Sequence, residues 1–333
     1  MLELATLTAD QDRQIASGAP SDAALAALFA AQNTAPAPAV GTSIDGYTVV
    51  EVLSKPGRPV TVKATAADGS EVVLKALPAD KKARAIAAAA QVKLAKVTDP
   101  NLAPPIAFAC GADTAFVVRR FVPGVSVEAV LATLQKETVP PDSPTWRLAA
   151  GARGGGANVT GAKVVCRIGE HAAKALVAAA KVGVTHGALK PANLMVDDTL
   201  RPIVTDFACG VARAPYEAPE VIQATDRASA RNTGVADQYA LGAVLWECLT
   251  RRPVFDGDAK AQEQATLKQK PDSPVKHNFK AGKEMETLTL ALLEKDPKAR
   301  FASIDELIAD LDRYHRNEPI QRKAPGLFKK LFG

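Results

Sequence analysis

Apolar and polar residues alternate in several short runs in the first part of the chain, with the period of two that is typical of half-buried β-strands. The dipeptide Asp68-Gly69 separates two of these runs and is typical of a hairpin turn. The pattern predicts a small antiparallel sheet with one helix, over residues 80–97. The predicted strands cover residues 47–53, 60–64, 71–77, 106–110 and 115–119.

In the rest of the chain the apolar positions recur every three or four residues, which is the period of amphipathic helices. The strongest apolar stripe predicts a helix over residues 162–182. Ser303 stands three residues before Glu306, a spacing typical of an N-terminal capping box. The chain is therefore predicted to be an α+β protein with a β-rich lobe over residues 44–121 and a mainly helical lobe over residues 122–315.

Three further segments flank or interrupt these lobes. Residues 1–40 are predicted to be a helical extension with a Pro/Ala-rich linker, which packs on the main domain or on a partner. Residues 135–161 are rich in Pro and Gly and are predicted to be a flexible insertion. Residues 316–333 form a basic C-terminal tail, in which Leu and Phe flank two lysines.

Composition excludes several classes of protein. Of the 333 residues, 47% are hydrophobic and 23% charged, which is typical of a globular chain, and the net charge is +5. No block of Lys and Arg interleaves with aromatic residues, so we expect no nucleic-acid binding. The four cysteines form no Cys-x-x-Cys pair, so we expect neither a zinc site nor a disulfide framework. Because the sequence also lacks a long apolar run and a secretory-type N-terminus, we expect a cytoplasmic protein.

One run of residues carries a recognisable chemistry. Positions 186–193 have the sequence His-Gly-Ala-Leu-Lys-Pro-Ala-Asn. This run resembles the catalytic loop of protein kinases, His-Arg-Asp-Leu-Lys-Pro-x-Asn, with Ala188 in place of the aspartate. Asp206 and Phe207 follow where kinases carry the metal-binding Asp-Phe-Gly. The chain thus resembles a degenerate bacterial serine/threonine protein kinase over about residues 47–315, which implies the two-lobed protein-kinase-like fold.

The resemblance also assigns structural roles to four residues. His186 would point into the helical lobe as a spacer. Asp237, in Asp-Gln-Tyr-Ala-Leu-Gly, matches the aspartate that ties down the catalytic-loop backbone. Glu220 of Ala-Pro-Glu would form a buried, bidentate ion pair with Arg300, since an orphan charge there would be costly.

ATP and Mg²⁺ are the cofactors that the resemblance implies. Lys75 matches the lysine that meets the nucleotide phosphates, and it would act as a point charge. Asn193 and Asp206 would supply oxygen ligands of the kind that Mg²⁺ requires. Lys190 matches the catalytic-loop lysine of serine/threonine kinases.

Other positions depart from the kinase pattern where catalysis needs it. Ala188 has no polar atom with which to accept the hydrogen of a substrate hydroxyl. Ala90 stands where the helix glutamate normally pairs with Lys75, so we expect Lys75 to have no helix partner and its orientation toward phosphate not to be enforced. Residues 54–59 carry prolines at two positions of the expected glycine-rich loop, which removes backbone donors.

The pocket and the activation segment are altered too. Arg119 falls at the gatekeeper position, where a buried arginine needs an acidic partner or a phosphate. Val73 replaces the small alanine that usually lies under the adenine, so the pocket is expected to be narrow. Ala208 replaces the glycine after Asp-Phe, and the segment up to Ala-Pro-Glu is short, with Tyr216 as its only hydroxyl-bearing residue.

Two functions follow from this pattern. The first is a pseudokinase, a regulatory or scaffold module with weak or no ATP binding that acts through a protein partner. The alternative is an active ATP- and Mg²⁺-dependent serine/threonine kinase with an atypical catalytic loop. The basic tail offers a peripheral membrane contact, but an apolar segment of this length binds feebly.

Overall fold

The structure is a computed structural model. The helices predicted within residues 1–35, part of the loop at residues 54–59, most of the predicted insertion and the last ten residues lie outside the part that it describes. The described residues are 36–54, 59–79, 81–111, 113–136, 161–197, 201–210, 213–231 and 233–323.

A six-stranded antiparallel sheet forms the first lobe. Five strands match the sequence prediction, but a sixth of only two residues precedes them and pairs with its neighbour across a tight turn at Asp45-Gly46. Two residues are too short to show a period, which is why the sequence prediction missed this strand. In chain order the strands are β1 (Ser43–Ile44), β2 (Tyr47–Val52), β3 (Thr61–Thr65), β4 (Glu71–Ala76), β5 (Pro105–Cys110) and β6 (Ala115–Arg120), and they are ordered β1-β2-β3-β4-β6-β5.

The two faces of this sheet have different neighbours. One face buries an apolar cluster of its own that includes Val72, Leu74 and Val118. The opposite face carries Lys75 and Arg119, and both side chains contact Asp206 of the second lobe. Because side chains alternate along a strand, the register of β4 and β6 decides which of their own residues reach the cleft between the lobes.

Helices make up most of the second lobe, and one helix belongs to the first. The latter is α1 (Lys81–Leu94), between β4 and β5. The others are α2 (Val127–Lys136), α3 (Gly161–Ala180), α4 (Pro219–Gln223), α5 (Arg227–Ala230), α6 (Gly234–Thr250), α7 (Ala259–Lys268), α8 (Pro274–His277), α9 (Lys283–Leu292) and α10 (Ile304–His315).

The main core lies between α3, α6, α9 and α10. Helix α6 is apolar around nearly its whole circumference, as expected for a helix that is surrounded by others. Gly242 permits this close packing, since a Cβ atom there would lie 2.6 Å from the Cβ of Leu292. Ser303 caps α10 by accepting from the backbone N–H of Glu306. The capping box is only half formed, because the Glu306 carboxylate accepts from Ala302 N–H rather than from Ser303.

A second, three-stranded sheet sits at the junction of the lobes. Its strands are β7 (Val125–Ser126), β8 (Leu194–Val196) and β9 (Pro202–Val204), in the order β7-β8-β9. The sequence prediction did not include it, because its strands are two or three residues long. The sheet matters for the site, since β8 follows Asn193 directly and β9 ends two residues before Asp206.

Candidate functional site

Asp206 lies at the centre of the cleft between the two lobes. Its Oδ2 accepts a hydrogen bond of 2.6 Å from Nζ of Lys75, and its Oδ1 accepts one of 3.3 Å from Nε of Arg119. All three side chains are nearly buried: Asp206 is 8% exposed, Lys75 10% and Arg119 11%. Both carboxylate oxygens are therefore occupied by cations of the chain itself.

Electrostatics keeps Asp206 ionised. Burial raises the pKa of its carboxyl, but the charges and hydrogen bonds of Lys75 and Arg119 outweigh this effect and hold the pKa well below its usual range. The result is a compact group with two positive charges and one negative charge.

Strand register brings the two cations together. Lys75 lies opposite Val117, and Val73 lies opposite Arg119, in the antiparallel pair β4–β6. Residues directly opposite each other, and those two apart on a strand, share one face of a sheet. Lys75 and Arg119 therefore reach into the same cleft, and the acidic partner that a buried arginine needs is Asp206.

Helix α1 supplies an amide in place of an acid. Ala90 is half-buried and packs against the core of the helical lobe. The neighbouring Gln91 is buried and donates from Nε2 to the carbonyl oxygen of Phe207 at 2.5 Å and to Sγ of Cys209 at 3.1 Å. The sequence analysis missed Gln91, because a glutamine one position from the expected glutamate gave no signal.

Lys75 has a partner that the sequence analysis did not foresee. In the structure Asp206 holds its ammonium group at hydrogen-bond distance, so the orientation of Lys75 comes from the second lobe instead of from α1.

Asp237 organises the backbone of the loop around Ala188. Its two carboxylate oxygens accept from the backbone N–H groups of His186 at 2.7 Å and Gly187 at 2.8 Å. Burial raises the pKa of Asp237 to about 7, against the effect of these two hydrogen bonds. The His186 ring packs on Phe207 with ring centroids 4.6 Å apart, and burial lowers its pKa to about 4, so it is uncharged at neutral pH.

Ala188 is buried, with 2% of its surface exposed. Its carbonyl oxygen accepts a hydrogen bond of 2.9 Å from Nδ2 of Asn193, which is itself buried. Lys190 is half-buried and precedes the 3₁₀ turn Pro191–Asn193, whose N-terminus has no side-chain cap. Hydrogen bonds from Asn193 and to Asp237 therefore fix the backbone of the loop around Ala188, although the side chain at position 188 is only a methyl group.

Two residues near the cleft adopt left-handed backbone conformations. Asp206 has φ 66° and Ala208 has φ 53°. The N–H of Ala208 donates to the carbonyl oxygen of His186 at 3.0 Å, so the conformation is held in place by the neighbouring loop. Glycine adopts this region without penalty, whereas an L-residue such as alanine is strained there by about 1–2 kcal/mol.

An ion-pair cluster occupies the space next to Ala188. Arg231 passes over Gly187 and donates from Nη2 and Nε to Oε1 of Glu217, at 2.5 and 3.0 Å. A second arginine, Arg227, lies 3.5 Å from the other oxygen of Glu217. The sequence analysis missed this cluster, and no motif could have shown it.

The remaining landmarks anchor the segment that follows Asp206. Arg300 donates from Nη1 and Nη2 to the two oxygens of Glu220, both at 2.7 Å, in a bidentate pair with the arginine side chain fully buried. The hydroxyl group of Tyr216 donates to the carboxylate of Glu247 and is not free for modification. Burial raises the pKa of the Tyr216 hydroxyl group above its usual value, so this group is protonated at all relevant pH values.

The magnesium ion implied by the resemblance does not fit this arrangement. Mg²⁺ requires oxygen ligands at about 2.0–2.1 Å in octahedral geometry. Of its two expected protein ligands, Asp206 has both oxygens paired with cations. The bond from Asn193 to Ala188 uses the amide nitrogen and does not engage the amide oxygen, so the misfit lies at Asp206. Within the described residues, no group of three or more His, Cys, Asp or Glu side chains is clustered to hold a metal ion.

Comparison with known proteins identifies the fold. Residues 157–310, slightly less than half of the chain, match the family model for the protein kinase domain. The crystal structure of the PknI kinase domain of Mycobacterium tuberculosis superimposes with a TM-score of 0.62 at 20% identity, over 84% of this chain and 99% of that one. A cysteine-to-alanine mutant of that domain gives a TM-score of 0.63 with the same coverage.

Curated relatives are similar over a shorter range. The serine/threonine-protein kinase PknB of Mycobacterium leprae is 31% identical over 150 residues, which are 41% of this chain and 24% of that protein. A probable serine/threonine-protein kinase of Streptomyces coelicolor, SCO3848, is 30% identical over 163 residues, 43% of this chain and 23% of that protein. The chain thus spans about a quarter of the length of the curated relatives that it matches.

These likenesses confirm the predicted fold class. The chain carries a protein-kinase-like domain with an antiparallel sheet lobe and a helical lobe. No helix in the part of the chain that the structure describes has the length and hydropathy to cross a membrane.

Proposed function

We propose that this protein is a pseudokinase, a cytoplasmic regulatory or scaffold module that acts by binding a protein partner and does not transfer phosphate. The observation that carries the proposal is Ala188, buried at the position where the resemblance requires the catalytic aspartate. A positioned base contributes roughly 10²–10⁴-fold to such a reaction, and a methyl group cannot accept a proton or orient a hydroxyl.

The surroundings of Ala188 support the proposal, because the carboxylates near it are already engaged. A small cavity beside Ala188 is lined by two carboxylates, Glu217 and Asp237. Glu217 is paired with Arg231 and Arg227, and Asp237 accepts two backbone N–H groups. Each carboxylate is therefore committed to the fold and does not face the cavity as a free acceptor.

The test is a phosphotransfer assay on the full chain. We expect no incorporation of radiolabel from γ-labelled Mg-ATP into the protein itself or into a generic protein substrate. Lys75→Met is the matched control, since any signal that survives in this variant comes from a contaminating kinase. Robust phosphorylation by the wild type that is abolished in Lys75→Met would overturn the proposal.

An active serine/threonine kinase is the second candidate. Retention of Lys75, Lys190, Asn193 and Asp206 favours it, as do the printed names of the bacterial relatives. An active enzyme must bind Mg-ATP, whereas the pseudokinase is proposed to bind it weakly or not at all. Calorimetric titration with ATP alone and with Mg-ATP separates the two, and a protein that binds neither at millimolar nucleotide is not a working kinase.

A further inference from the structure

We infer that Arg119 is an internal cation that takes the place of a bound metal ion at Asp206 and locks the two lobes together, so that the shape presented to a partner does not depend on nucleotide. This inference rests on the proposed function, and it specifies that the module is constitutive rather than switched. Its basis is the ion triad, defined as Lys75, Asp206 and Arg119.

The triad satisfies a site that would otherwise need an added cation. A carboxylate that is only 8% exposed pays a large desolvation cost unless positive charge lies close by. The ammonium group of Lys75 compensates the single negative charge of Asp206 at Oδ2, and Arg119 adds a second positive charge at Oδ1. With both cations in place the triad carries a net charge of +1, which repels a further cation.

Geometry makes the arginine and a metal ion mutually exclusive. Nε of Arg119 lies 3.3 Å from Oδ1 of Asp206, the oxygen that Lys75 leaves open. A divalent ion would have to bind Oδ1 at about 2 Å and would be repelled by the adjacent guanidinium charge. Binding therefore requires the Arg119–Asp206 pair to break first.

The same contacts join the lobes. Lys75 and Arg119 come from the sheet, Gln91 comes from α1, and all three reach the segment Asp206–Cys209 of the second lobe. An apolar cluster continues this contact, in which the buried Cys209 packs with residues of the first lobe. These residues are Leu77, Ala87, Ala88, Ala115 and Val117.

Arg119 and its neighbour Arg120 offer a matched pair of variants. Arg120 is the next residue on β6 but points to the opposite face of the sheet and is exposed. Arg119→Met removes the charge and keeps a long apolar side chain, whereas Arg120→Met removes the same charge without touching Asp206. Arg119→Lys keeps a positive charge at the site.

The experiment is a titration of the full chain with Mn²⁺ alone, followed by electron spin resonance of the free ion. We expect Arg119→Met to gain one site with an affinity about tenfold or more above the wild type. Arg120→Met and Arg119→Lys should behave like the wild type, and the double variant Arg119→Met/Asp206→Asn should lose the gained site. Circular dichroism checks that each variant is folded, and Arg119→Gln replaces Arg119→Met if the latter does not fold.

Two results would overturn the inference. One is a wild type that binds Mn²⁺ as tightly as Arg119→Met does, which would show that Arg119 does not block metal binding at Asp206. The other is a folded Arg119→Met variant that gains no site. If neither neutral variant folds, binding of one Mn²⁺ ion to the wild type overturns the inference, because Arg119 then does not exclude the metal, and its absence supports the inference. Because the readout is metal binding without nucleotide, it can fail while the phosphotransfer assay still supports the pseudokinase, and the reverse also holds.

Discussion

Single residues decide both the chemistry and the local strain of this site. Ala188 and Ala208 are each one methyl group, yet the first removes a polar function from the loop and the second occupies a backbone conformation that favours glycine. The alanine at position 208 also stores backbone strain next to Asp206, because its φ is positive.

Replacement of Ala208 by glycine should stabilise the protein. Relief of the left-handed conformation outweighs the additional chain entropy of glycine, so we expect the free energy of unfolding to rise by about 0.5–1 kcal/mol. Urea denaturation measures it. Ala132→Gly, at an exposed interior position of helix α2, is the control and should lower stability by about 0.5–1 kcal/mol. A loss of stability in Ala208→Gly would show that no strain is stored there.

At the scale of elements, side chains from distant helices hold the irregular segments. Helix α6 contributes Asp237 to the catalytic-type loop and Glu247 to Tyr216. Helix α10 contributes Asp310, which accepts from the backbone N–H groups of Gln321 at 2.7 Å and Arg322 at 2.8 Å. In these segments, hydrogen bonds to carboxylates hold the chain in place where regular secondary structure is missing.

Glu247 should make stability depend on pH. Burial, opposed by the hydrogen bond from Tyr216 and aided by the charge of Glu128, raises its pKa from 4.5 to about 7. Because the folded-state pKa is above the unfolded value, its contribution to stability is present below pH 4.5 and is lost as the pH rises to about 7. Glu247→Gln cannot ionise, so between about pH 4.5 and 7.5 it should gain about 1–3 kcal/mol relative to the wild type.

Denaturation at several pH values tests this expectation. The difference between variant and wild type cancels the titration of His186 and Asp237, which both proteins share. Glu284→Gln, at the exposed start of α9, is the control for the substitution itself. A stability difference for Glu247→Gln that does not change with pH would contradict the assigned shift.

Asp310 should be required for the order of the segment after α10. Asp310→Ala leaves the amides of Gln321 and Arg322 without acceptors, so hydrogen exchange at these two amides should accelerate, and stability should fall by about 1–3 kcal/mol. Asp312→Ala is the matched control, since Asp312 forms an exposed pair with Arg316 and is two residues from Asp310 on the same helix. Unchanged exchange at Gln321 and Arg322 in Asp310→Ala would show that other contacts hold the segment, such as that of Arg322 with Phe301.

At the scale of the whole molecule, the two lobes are joined through a buried polar centre and a shared apolar cluster. The triad and Gln91 provide the polar contacts, and the cluster around Cys209 provides the apolar ones. A protein built in this way should open its lobes only when it unfolds as a whole.

Thiol labelling of the native protein tests that cooperativity. Cys209 lies between the lobes, Cys248 lies within the helical lobe, and burial raises the pKa of both thiols. We expect the two to be alkylated at about the same slow rate, while the partly exposed Cys110 reacts first. Mass spectrometry of the alkylated peptides gives the rates. Labelling of Cys209 well before Cys248 would mean that the lobes separate on their own.

The sequence by itself determined the order of the two lobes, because strand and helix periods are local and extend over many residues. It also identified the positions at which the kinase pattern is kept or lost, since Ala188, Lys75 and Asp206 stand in recognisable motifs. It could not show the two- and three-residue strands, which are too short to carry a period and exist only because neighbouring strands pair with them.

Only the tertiary structure decided what surrounds Asp206. Lys75 is 131 residues away in sequence, Arg119 is 87 away, and Gln91 is 116 away from the Phe207 carbonyl group that it contacts. Electrostatic energy depends on distances between charges in space, which no local pattern encodes. The alanine at position 188 can therefore be read from the sequence, whereas the contact of Arg119 with Asp206 forms only when both lobes have folded and met.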